Sequence, residues 1–204
     1  MRFSNLILLI LACAVAAFGL RPWSSESGAA KEQEQLTPAP TPDQTRLYLN
    51  ASQSEQAGLS GVLPRGTRSI LNVRGRMRYG DFVWDVGDAA GPLVIRVDLK
   101  RQLISVFRGG HEIGTAVVLF GAQGHETPVG RFPIKAKLEN YRSRTYDAPM
   151  PFTLWLTDDG VAIHGSEVRW GAATHGCIGV PTDFAQSLFH LASVGDVVEI
   201  RGAT

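Results

Sequence analysis

From about residue 61 onward the chain breaks into short apolar-rich runs separated by turn residues, the pattern of strands that bury one face. Segments 93–99 (LVIRVDL) and 102–108 (QLISVFR) flank Lys100-Arg101, and 111–120 follows the Gly109-Gly110 turn. Segments 131–137, 152–157, 161–164 (after Asp158-Asp159-Gly160) and 197–200 bring the expected strands to seven. One helix is expected, with Thr182 as N-cap, Asp183 in its first turn, Phe184, Leu188 and Leu191 on one face, and an end before Gly195. A single short helix against seven strands predicts a mainly β sandwich or barrel.

The two ends of the chain follow different rules. Segment 6–20 (LILLILACAVAAFGL) is apolar or Gly throughout, between Arg2 and Arg21. It is short for a membrane span, which wants about 20 apolar residues, but suits the apolar region of an export signal, and Ala12, Ala14, Ala16 and Ala17 supply small residues. Residues 1–23 are therefore expected to be a signal peptide or N-terminal membrane anchor. The domain is then exported, to the periplasmic or cell-wall side, and meets a membrane only through this segment. Residues 24–60, rich in Pro, Ser and Gln and carrying Pro38, Pro40 and Pro42, are expected to form a disordered tether. An N-terminal extension packed on the domain is expected over 61–91, and the domain itself over 92–204.

Charge and composition narrow the classes of function. Twenty Lys+Arg against 19 Asp+Glu leave a net charge of +1, which gives no electrostatic case for nucleic acid. At 44% hydrophobic and 19% charged the chain is an ordinary folded protein, with no sign of oligomerisation. Arg65, Arg68, Arg74, Arg76 and Arg78 form a basic run without acids, read first as a solvated face and second as a contact to an anionic polymer or headgroup layer.

Cysteine usage points to chemistry. There are two cysteines, and Cys13 lies in the apolar run, so an exported domain holds Cys177 alone and no disulfide. Cys177 sits in 173–181 (ATHGCIGVP), beside His175 and ahead of the expected helix. A nearby His and a helix N-terminus both favour the nucleophilic thiolate. Gly176 lets the backbone bend so that successive N–H groups of the turn face one point, as an oxyanion hole requires. His164 ends an expected strand, a rigid place for a general base.

Ile163-His164-Gly165-Ser166, a Gly-containing spacer and Thr174-His175-Gly176-Cys177 together resemble the motif of the bacterial L,D-transpeptidase catalytic-domain family. Segments 127–134 (TPVGRFPI) and 181–189 resemble the same family's T-P-x-G-x-F-x-I segment and its helix. The resemblance spans about residues 92–200. It implies a barrel-like β-sandwich of the L,D-transpeptidase type with one short helix after the catalytic Cys. It also implies Cys177 as nucleophile, His164 as proton donor and acceptor, and the backbone at His175 and Gly176 as oxyanion hole. Thr174 and Ser166 would then help to hold substrate, and Tyr146 and Met150 of segment 143–152 either line the substrate groove or pack their own loop.

The reaction implied is the joining of two peptidoglycan tetrapeptide stems, as donor and acceptor, with release of D-Ala and no metal or organic cofactor. Alternatives are hydrolysis at the same site, a non-catalytic peptidoglycan-binding domain, and a zinc site from His164, His175 and Cys177. Two departures from the family pattern stand out: a thirteen-residue step from His164 to Cys177, and Gly179 where Arg or Asn is common.

Overall fold

The computed structural model describes residues 45–202. The apolar run at 6–20 and the tether up to residue 44 lie outside the described residues, and so does Cys13. Among the described residues twelve strands and two helices follow one another. They are β1 (Arg46–Tyr48), α1 (Ala51–Leu59), β2 (Ser69–Leu71), β3 (Phe82–Trp84), β4 (Leu93–Asp98), β5 (Leu103–Arg108) and β6 (His111–Val117). After these come β7 (Gly130–Pro133), β8 (Ala136–Arg142), β9 (Pro149–Trp155), β10 (Ala162–Ser166), β11 (Ile178–Pro181), α2 (Thr182–Leu191) and β12 (Val197–Arg201). The fold is mainly β, as expected.

Two sheets hold it together. The larger runs β1-β2-β6-β5-β4-β12-β7, with β3 also on β6, and the smaller runs β11-β10-β9-β8. Gly109 and Gly110, at φ +56° and +88°, make the two-residue turn between β5 and β6, a conformation that needs positive φ at both positions. The core between the sheets is aliphatic, built from fully buried residues such as Ile95, Ile104, Ile113, Ile163 and Ile178. Helix α2 turns Phe184, Ala185 and Leu188 into it. The Phe184 ring meets Trp84 edge-on at 5.2 Å and Phe82 at 6.1 Å, which ties β3 to the helix. Gly114 on β6 makes room for this, because a Cβ there would run into the Trp84 ring.

Three expectations are corrected. Residues 45–60 are ordered and not part of a disordered tether: β1 pairs antiparallel with β2, and α1 is closed by a capping box. In that box Gln53 N–H donates to Asn50 Oδ1 and Asn50 N–H donates to Gln53 Oε1, both at 2.9 Å. Arg46 fastens the segment further, donating to Glu112 O at 2.6 Å and to Asp85 O, with its Nε 3.4 Å from Asp85 Oδ2. The second correction is α1 itself, a helix outside the expected single one; it buries no side chain, so no apolar periodicity marks it. Third, α2 takes Pro181 and not Thr182 as N-cap, without a side-chain cap.

Candidate active site

Strands β10 and β11 are parallel neighbours, with His164 opposite Gly179 and Ser166 opposite Pro181. Side chains alternate along a strand, so position 179 shares the sheet face of His164, and Cys177 stands immediately before β11. The turn that carries Cys177 into β11 is braced from several sides. Thr174 N–H donates to Phe120 O, and Ala122 N–H donates to Thr174 O, each at 3.0 Å. Buried Thr127 accepts from Gly121 N–H and donates to Gly176 O, both at 2.9 Å, which gives the first residue of the TPVG segment its part in the site. Thr174 Oγ1 donates to Cys177 O at 2.6 Å and accepts from Gly176 N–H at 3.3 Å.

Gly176 holds φ +112°, a backbone conformation that glycine alone adopts readily. Its N–H is turned to Thr174. The amides of His175 and Cys177, by contrast, have no backbone acceptor among the described residues.

His164 is buried, at 8% exposure. Its Nδ1 lies 2.9 Å from Gly165 O and 3.2 Å from Ser166 Oγ. A carbonyl oxygen only accepts, so Nδ1 carries the hydrogen and Nε2 keeps its lone pair. Burial pushes the His164 pKa down, with the Gly165 carbonyl acting in the other direction. The Cys177 thiol is half-buried and donates to Gly160 O at 3.5 Å. Burial raises its pKa, against a smaller lowering by the Ala162 N–H. The expectation of a thiolate favoured by its surroundings is therefore corrected: desolvation outweighs the local dipoles, and the resting pair is thiol and neutral imidazole.

A cleft of about 790 Å³ opens over this pair. All eight residues singled out from the sequence line it: His164, Ser166, Thr174, His175, Gly176 and Cys177, with Tyr146 and Met150 on a further wall. Met150 arrives from β9 and is itself buried. Tyr146 sits on loop 143–148, which Arg142 closes with 2.7 Å bonds from its guanidinium to Asp147 Oδ1 and Asp147 O. The Tyr146 ring stacks on His175 at 4.2 Å and 19°, and His125 meets the same imidazole edge-on at 4.8 Å. His125 carries no signal in the sequence beyond its residue type, and its place in the cleft comes from the fold. The zinc alternative loses its geometry here: among the described residues no three His, Cys, Asp or Glu side chains converge as a metal requires.

Gly179 has a local cause. A Cβ built there would lie 2.8 Å from Ser166 Oγ and 3.1 Å from Ser166 Cβ. The absent side chain leaves Ser166 the space from which it reaches His164.

Comparison with known proteins agrees with this fold. An L,D-transpeptidase from Stackebrandtia nassauensis superposes with a TM-score of 0.50 at 24% identity, over 57% of this chain and 58% of its own. A mutant L,D-transpeptidase from Enterococcus faecium gives 0.50 at 23% identity, over 55% of this chain and 50% of its own. At these identities the likeness is one of fold, and the chain spans less than two thirds of either structure. No curated protein matches. The model of the L,D-transpeptidase catalytic domain matches residues 92–200, more than half of the 204-residue chain. The chain belongs to the L,D-transpeptidase catalytic-domain family.

Proposed function

We propose that the chain is an exported L,D-transpeptidase that cross-links peptidoglycan stem peptides through an acyl-enzyme on Cys177. The observation that carries this reading is the tautomer of His164. With Nδ1–H given to Gly165 O, Nε2 keeps its lone pair on a side chain that lines one cleft with Cys177.

In the first half-reaction Nε2 takes the thiol proton as Sγ attacks the carbonyl carbon at the L-centre of diaminopimelate in a tetrapeptide stem. The C–S bond forms and the carbonyl electron pair moves to oxygen. The backbone amides of His175 and Cys177 supply the turn's N–H groups for this oxyanion, while Gly176 shapes the turn through its φ. Collapse breaks the peptide bond, and the imidazolium returns its proton to the leaving D-Ala amine. In the second half-reaction the side-chain amine of a diaminopimelate on another stem attacks the thioester and gives its proton to His164. The thiolate departs and is reprotonated, so one amide bond is broken and one made.

The test is the product formed from disaccharide-tetrapeptide. Expected is a cross-linked dimer lacking one D-Ala, read by mass spectrometry, and its loss in Cys177→Ala. Tripeptide without dimer would transfer the reading to hydrolysis by the same acyl-enzyme. Full activity in Cys177→Ala would refute both.

A further inference from the structure

A second cleft, of about 450 Å³, lies outside the site described so far. Met77, Tyr79 and Trp170 give it apolar surface, and Arg76, Arg101 and Gln102 give it polar groups. Trp170 is 83% exposed, the most exposed large hydrophobic side chain among the described residues. Its ring is nevertheless held: Tyr79 packs against it at 5.6 Å and 78°, while most of the indole stays open to solvent. The Tyr79 hydroxyl donates to Gln102 Oε1 at 3.1 Å, so the Gln102 amide hydrogens remain to be donated elsewhere. Gln102 itself holds φ +54°, in the left-handed region that non-glycine residues rarely adopt. Arg101 is oriented by Asp98 at 2.7 Å, and Arg76 has no ion pair among the described residues.

A held, largely exposed indole in a cleft that also offers Arg76, Arg101, Gln102, Ser105 and Glu112 suits a ligand with one flat C–H face and both donors and acceptors around its edge. A pyranose ring has that form. A lipid chain would leave the guanidinium groups unsatisfied, and a net charge of +1 gives no support for a nucleic acid.

Position identifies the source. Trp170 stands in segment 167–173, between β10 and the turn that bears Cys177, and Val168 of this segment joins Val117 and Leu119 in a buried cluster against which Met77 and Tyr79 pack. Its neighbours Arg169 and Ala172 line the first cleft, while Trp170 lines the second. One short segment thus serves both clefts. A stem peptide is a branch on a glycan strand, so a ligand with its peptide in the first cleft has sugars to place beside it.

We infer that the cleft at Trp170, Tyr79 and Gln102 is a glycan subsite, which takes an N-acetylated hexosamine of the strand whose stem occupies the catalytic cleft. The inference rests on the peptidoglycan reading above and adds to it a preference for glycan-bearing stems. Stacking on Trp170 supplies the contact to the sugar face, and Gln102 and Arg76 bond to its edge.

Two measurements on the full chain decide it. In the first, kcat/KM is compared between disaccharide-tetrapeptide and sugar-free tetrapeptide; the wild type is expected to prefer the former, and Trp170→Ala to lower that ratio about tenfold, with Trp170→Phe restoring much of it. No preference in the wild type, or an equal loss on both substrates in Trp170→Ala, would overturn the subsite. In the second, the β-1,4-linked N-acetylglucosamine tetramer is titrated into the Cys177→Ala protein and followed by saturation-transfer NMR. Signal that disappears in the Cys177→Ala/Trp170→Ala double variant supports the subsite. No signal, or signal indifferent to Trp170, overturns it. Should the wild type turn over neither substrate, the transpeptidase reading fails while the sugar titration still decides the cleft.

Discussion

Gly179 illustrates how one missing side chain arranges two others. Where the family resemblance leads one to expect Arg or Asn, any side chain would meet Ser166, whose hydroxyl lies 3.2 Å from His164 Nδ1. Gly179→Arg is therefore expected to lower kcat/KM by about tenfold or more, by displacing Ser166 and with it the imidazole. Gly179→Ala should lower it less. Equal or higher activity in Gly179→Arg would show that Ser166 is free to move aside. The sequence exposes Gly179 as a departure but not its cause, since the collision joins two strands that only the fold makes neighbours.

The pH dependence follows from the same residues. His164 has its pKa lowered by burial, so in the folded chain it stays neutral below the ordinary value of about 6.5. The unfolded chain then binds the proton first, so this group's contribution to stability is complete above about pH 6.5 and is lost as pH falls below it. The midpoint of thermal unfolding should drop as pH falls below about 6.5, with a shallower slope in His164→Asn. Activity should persist below pH 6.5 until His164 itself is protonated. Iodoacetamide should alkylate Cys177 slowly at pH 7 and faster only as pH rises past about 8.5, the ordinary thiol value, because burial raises this one. Rapid alkylation at pH 6 would contradict the neutral resting pair.

At the scale of elements, the longer strands that bury apolar side chains are legible in the sequence, and the short or exposed ones are not. Strands β4, β5 and β6 lie where the alternation put them, because their inward positions fill the aliphatic core. Edge strand β8 (AKLENYR) has no fully buried residue, and β1 and β3 are three residues long, so no run of buried positions announces them. Strand β11 is buried throughout but only four residues long, with Gly179 and Pro181 inside it, and reads as part of the catalytic turn. Helix α2 was visible from Phe184 and Leu188, which the structure buries completely. Its start was misplaced because Thr182, a good capping residue by type, makes no capping bond. Phe184 fixes α2 against β3 through Trp84 and Phe82, so Phe184→Ala is expected to lower stability by about 3–5 kcal/mol in urea unfolding. A loss below about 1 kcal/mol would mean that the aromatic cluster closes over the gap.

At the scale of the whole molecule, two sheets bring together groups far apart in the chain. The loop with Tyr146, the strand with His164 and the turn with Cys177 all reach one cleft, braced by Thr127. His164 and Cys177 were readable because their motifs are local. The ring contacts of His175 with Tyr146 and His125 were not, since they join three separate loops. Residues 45–60 were misread for a similar reason: Arg46 finds Asp85 and Glu112 across the fold, and composition alone marks that segment as polar tether. The central claim, a covalent acyl-enzyme on Cys177 formed with the help of His164, is tested most directly by the intact mass of the protein during incubation with tetrapeptide. The account predicts an added mass equal to the tripeptide acyl group, localised to Cys177, absent in Cys177→Ala and formed far more slowly in His164→Ala. Product formation without any adduct on Cys177, or an adduct formed at the same rate in His164→Ala, would contradict it.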